Sequence, residues 1–131
     1  MKNYIVSSVL LFCVFFAFNN CSKDESFKST IFLYWDVDTM DEFDALDCRD
    51  LTVTIDGLLS GNIINANTKS WSNTDLSCEN SSNMYEKEIS MESSANKTIT
   101  VIVVDQDDYE VHNETHVVED GICHFIKIIE D

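Results

Sequence analysis

Beyond residue 30 the apolar side chains of this chain recur at every second position. Ile31, Leu33, Trp35 and Val37 alternate with Phe32, Tyr34 and Asp36, and Leu51, Val53 and Ile55 alternate with Thr52, Thr54 and Asp56. A period of two lines one face of a strand, whereas a helix needs spacings of three and four. The first strand is therefore expected at 30–37. Asp56-Gly57 and Ser60-Gly61 bracket a turn into Asn62-Ile63-Ile64, and residues 66–83 form a long polar loop with Trp71 as its anchor. Strands resume at 84–91 and 98–104. Val111 to Val118 and Ile122 to Ile129 read as a β-hairpin across Glu119-Asp120-Gly121, because Asp-Gly favours the positive φ of tight turns. About seven short strands with weak helix signals predict an all-β fold, a single antiparallel β-sandwich of immunoglobulin-like or transthyretin-like type.

The first 20 residues stand apart from that pattern. Lys2 precedes a largely apolar stretch, Ile5 to Phe18, that is shorter than the roughly 20 residues of a bilayer span and suits the core of a signal peptide. Asn19-Asn20-Cys21-Ser22-Lys23-Asp24-Glu25 then turns abruptly polar. Cys21-Ser22-Lys23-Asp24-Glu25 resembles the signal-peptide junction of short Bacteroidetes-type lipoproteins, although Phe18 and Asn20 stand where that junction usually has Leu and a small residue. The resemblance implies a lipid on Cys21, attachment to the membrane through that lipid, and an outer-membrane or cell-surface location; plain secretion is the alternative. The organisation expected is a signal peptide at 1–20, a lipidated cysteine and polar tether at 21–29, and a sandwich domain at 30–131.

The domain itself also resembles a small β-sandwich module of secreted Bacteroidetes proteins. The matching pieces are Ile31-Phe32-Leu33-Tyr34-Trp35, the run from Cys48-Arg49-Asp50 to Asp56-Gly57, Cys78, and Gly121-Ile122-Cys123. Tyr109-Glu110-Val111 departs from the module's Trp-x-Gly. That resemblance implies fold and location and no chemistry.

Charge narrows the partners. The chain carries 24 acidic against 8 basic residues, a formal net charge of −16, and every acid lies beyond residue 20. Such a balance repels nucleic acid and anionic lipid surfaces. Of the cysteines, Cys13 leaves with the signal and Cys21 takes the lipid, so Cys48, Cys78 and Cys123 allow one bridge in an oxidising compartment. If the strands run up and down, Cys48 and Cys78 share one end of the sandwich. That parity favours Cys48–Cys78, with Cys48–Cys123 next.

Two groups of side chains could hold a metal. Asp36, Asp38, Asp41, Glu42, Asp44, Asp47 and Asp50 crowd one segment, and Asp105-Gln106-Asp107-Asp108 follows a strand. Calcium takes six to eight oxygens, largely carboxylates on loops, which makes Asp36, Asp38, Asp41, Asp105 and Asp107 calcium candidates; solvated acid on loops is the plainer reading. Met40 in the first segment breaks the EF-hand pattern. The hairpin would set His116 opposite His124 and leave His112 about 13 Å along the strand, too far to complete a three-ligand site. Glycine-rich phosphate loops, GxSxG and HExxH are absent from the sequence. Trp35 falls on the core side of its strand, while Trp71 is either a loop anchor or a contact residue. The chain is expected to be a non-catalytic structural or binding module with a protein or glycan partner and no cofactor. The alternative is a calcium-dependent adhesion or ligand-binding domain.

Overall fold

The computed structural model describes residues 26–72, 76–79, 81 and 84–128. The signal segment and Cys21 lie outside the described residues. Seven strands run in the order β1 (Phe27–Tyr34), β2 (Leu51–Ile55), β3 (Leu58–Ile63), β4 (Tyr85–Met91), β5 (Lys97–Val104), β6 (Glu110–Val118) and β7 (Cys123–Lys127). They form a three-stranded sheet, β4-β1-β7, and a four-stranded sheet, β3-β2-β5-β6. All pairs are antiparallel except β1 with β7, which is parallel. The all-β sandwich read from the alternation is present. β1 and β2 lie in different sheets, unlike the immunoglobulin constant order, in which the first two strands share one.

One core fills the space between the sheets. Ile31, Leu33 and Trp35 from the β1 segment, Ile89 from β4 and Ile126 from β7 meet Leu51, Val53, Ile99, Val101, Val103 and Val118 from the other sheet. The alternating rows of β2 and β5 thus bury one face each, as a half-exposed sheet should. β1 is different, because Phe32 and Tyr34 on its outer face are buried as well. They pack with Met84, Trp71, Leu76, Cys123 and Phe125, so the segment following β3 lies across the outside of the smaller sheet. This second core explains why Ile31 to Tyr34 at the end of β1 are apolar or aromatic on both faces. The Phe32 and Phe125 rings stack at 5.2 Å.

Three features depart from the strand pattern expected of the sequence. β1 begins at Phe27 rather than 30, because Phe27, Lys28 and Ser29 pair with Met91, Ser90 and Ile89 of β4. At its other end the chain leaves the sheet after Tyr34 and enters helix α1 (Val37–Ala45). Asp36 caps that helix, its Oδ1 accepting from the Thr39 amide at 3.1 Å and the Thr39 hydroxyl at 3.0 Å. Phe43 turns inward onto Trp35, edge to face at 5.5 Å. The third departure is the expected terminal hairpin. β6 pairs with β5 and β7 pairs with β1, so residues 119–122 cross between sheets. The Asp-Gly turn is present, with Gly121 at φ +71°. Its polar groups bind β1 instead: the Gly121 amide donates to the Lys28 carbonyl at 2.7 Å, and the Lys28 amide donates to Asp120 Oδ1 at 2.8 Å.

The disulfide also differs from the favoured pairing. Cys78 is bonded to Cys123 with Cα atoms 6.0 Å apart, while Cys48 is a buried thiol in the main core. The parity argument assumed that Cys78 stays at the end of the sheet that β3 leaves. Instead the long segment crosses the outer face of the smaller sheet and brings Cys78 to the start of β7. Trp71 fastens the same segment: its amide donates to the Trp35 carbonyl at 2.8 Å and its ring meets the Trp35 ring edge to face at 5.3 Å. The loop-anchor reading of Trp71 is the one realised.

Candidate metal site at the open edge of the sandwich

β6 and β7 are the edge strands of their sheets and follow each other in the chain, so they border the same end of the interlayer space. On β6 the parity of buried Val118 places His116, Glu114 and His112 on the inner side. A register shift opposite Val103 and Val104 pairs Val103 with His112 and Val104 with Glu110. The extra residue, Val111, turns inward beside His112, so both are buried.

The two imidazoles on β6 stack, with centroids 5.8 Å apart and planes 9° from parallel. The separation of about 13 Å expected along a strand is a backbone distance. Each ring extends several ångströms from its own Cα, and the two lean toward each other over Glu114. One ligand atom from each of His112, Glu114 and His116 lies within 4.8 Å of the other two. It is the one such group of three or more His, Cys, Asp or Glu among the described residues. Glu114 is the exposed member of the three, its Oε2 standing 3.9 Å from His116 Nε2. That nitrogen is shielded from water and has no hydrogen-bond partner among the described residues.

Burial lowers the pKa of His116, with Glu114 opposing the shift and His124 adding to it. The ring is held toward its neutral form, which is the form that coordinates a metal. His124, on β7, is near enough to act on His116 but is otherwise engaged: its Nε2 accepts from the Glu119 amide at 2.9 Å. The cross-strand His116–His124 pairing expected of a hairpin is replaced by an approach across the two sheets. A set of two imidazoles and one carboxylate is a three-ligand arrangement that leaves a coordination position open.

The calcium candidates lie elsewhere. Asp36 is the helix cap, and its other oxygen pairs with Lys127 Nζ. The Lys127 partnership first, and the Thr39 amide next, hold its pKa at about 2. Asp38 and Asp41 are exposed on α1. Asp105 Oδ1 accepts from the Asp107 and Tyr109 amides, both at 2.8 Å, so this carboxylate closes its own loop. Asp107 is exposed in that loop. Gln106 joins the loop to the end of the α1 segment, accepting from the Arg49 amide at 3.0 Å and donating to the Asp47 carbonyl at 2.8 Å.

A different surface marks the opposite edge. Leu58 and Leu59 open edge strand β3 and are 74% and 73% exposed. They border a cleft of about 290 Å³ with Ile55, Ile89, Lys87 and Lys97 on its walls. The sequence signal for this surface was the doublet Leu58-Leu59 directly after Asp56-Gly57, where a hairpin turn forces at least one leucine outward. Comparison with protein-family models, curated proteins and solved structures finds no match to this chain.

Proposed function

We propose that this chain is a lipid-anchored module of the outer membrane or cell surface that works by binding a protein or glycan partner rather than by catalysis. The observation that carries the anchor is the junction at Cys21, a cysteine separated by only Asn19 and Asn20 from a short apolar run and followed by the acidic Asp24-Glu25. Its resemblance to Bacteroidetes-type lipoprotein junctions supports the location. The net charge of −16 suits a domain kept off an anionic bilayer to which its own lipid ties it.

Support for binding comes from the β3 edge. Two adjacent, strongly exposed leucines beside an amphipathic cleft offer a partner an apolar contact surface. A protein is favoured over a glycan, since an edge strand offers unpaired backbone groups as well as apolar side chains. Crosslinking on intact cells, followed by recovery of the chain, tests this reading. The wild type is expected to carry a crosslinked partner that the Leu58→Glu/Leu59→Glu variant loses while keeping its melting temperature. An identical crosslinking pattern for both proteins would refute the assignment of this edge.

A further inference from the structure

We propose that His112, Glu114 and His116 form a binding site for a zinc-class divalent transition-metal ion, with a fourth position open to water or an external ligand. This goes beyond the anchored-module reading and does not depend on it, because the site lies wholly within β6.

The donor chemistry selects the class. Two imidazole nitrogens and one carboxylate oxygen suit zinc, copper or nickel, whereas calcium requires six or more oxygens. The geometry is close to the required one. Bonds of about 2.1 Å in a tetrahedral site set ligand atoms roughly 3.4 Å apart. With the three atoms already within 4.8 Å of one another, rotamer adjustments of about an ångström would close them on an ion. The edge position supplies the rest: Glu114 is exposed enough to give an ion a path from solvent, while His112 is buried and His116 half-buried.

The arrangement also accounts for a polar atom that the fold leaves over. His116 Nε2 is buried on the inner side of an edge strand with no hydrogen-bond partner among the described residues. An apolar residue at this position would cost nothing in desolvation, whereas an imidazole does unless something occupies its nitrogen. Coordination satisfies that nitrogen and neutralises part of the Glu114 charge. His124 is not required as a ligand, because its Nε2 already accepts from the Glu119 amide.

The test uses the full chain, without a polyhistidine tag, purified in mild detergent and stripped with EDTA. Zn²⁺ is titrated in competition with a chromophoric chelator. One tight equivalent per chain is expected, unaffected by a large excess of Ca²⁺. His116→Asn and Glu114→Gln should each weaken it by more than about tenfold, since even residues that merely support metal ligands act on that scale. Asp38→Asn and Asp41→Asn, on the exposed side of α1, should leave it unchanged. A second readout does not depend on affinity: with Cu²⁺ in place of Zn²⁺, the electron paramagnetic resonance spectrum should show two coordinating nitrogens in the wild type and one in His116→Asn. Far-ultraviolet spectra of each variant establish that it is folded. Absence of a tight equivalent, equal weakening by the α1 variants, or an unchanged copper spectrum in folded His116→Asn would each overturn the proposal.

Discussion

Asp36 shows how much a single residue does here. Its carboxylate caps α1 and pairs with Lys127 of β7, tying the helix to the smaller sheet. With a folded pKa of about 2 against an ordinary value of 3.8, ionised Asp36 stabilises the native state above about pH 4, and that contribution is lost as pH falls toward 2. Asn caps as well as Asp but carries no charge. Asp36→Asn should therefore flatten the fall in melting temperature between about pH 4 and 2 while leaving helix content intact, as circular dichroism melts would show. Phe43, fully buried against Trp35, makes the opposite case, where packing dominates. Phe43→Ala should cost about 3–5 kcal/mol in denaturant unfolding. Gly57 sits at φ +76° in the β2–β3 turn, where an added methyl would meet open space. Gly57→Ala should therefore cost about 1 kcal/mol, through left-handed backbone strain alone.

At the scale of elements, the sequence was most legible where one face of a strand is buried and the other solvated. β2 and β5 match their alternating rows almost residue for residue. Helix α1 was hidden because its signals, Asp36 as cap with acids following and Met40 and Phe43 at helical spacing, coincide with a dense run of carboxylates that also reads as a metal loop. The β6–β7 connection misled for another reason. An Asp-Gly turn specifies local φ angles, not which sheet the next strand joins, and hydrogen bonds from Lys28 and Gly121 draw β7 to β1. The histidine site was illegible because strand spacing gives the backbone distance between His112 and His116, about 13 Å, and not how far the side chains reach toward each other, which leaves the rings 5.8 Å apart. The bridge was hidden too, since it depends on where a long polar segment travels. With its cysteines 45 positions apart in the sequence, the Cys78–Cys123 bond restricts the unfolded chain by about 4 kcal/mol. Cys78→Ser should lower stability by roughly 2–4 kcal/mol and loosen the segment over Phe32 and Tyr34. A non-reducing peptide map should show Cys78 joined to Cys123, and a Cys48-containing bridge would contradict the fold described.

At the scale of the molecule, two sheets enclose one core, a crossing segment adds a second outside the smaller sheet, and the two edges differ in chemistry. One edge presents leucines beside a cleft and the other presents imidazoles and a carboxylate. The chain as a whole carries a formal net charge of −16, which favours cationic or metal ligands over nucleic acid. No helix among the described residues is long and apolar enough to cross a membrane, and the proposed attachment rests instead on Cys21. The most direct test is the intact mass and N-terminal sequence of the chain isolated from the membranes of a lipoprotein-processing bacterium. A polypeptide beginning at Cys21 with the added mass of a diacylglyceryl group is predicted, and Cys21→Ala should abolish both the added mass and the membrane association. A mature chain with an unmodified α-amino group and no lipid mass would contradict the anchored module.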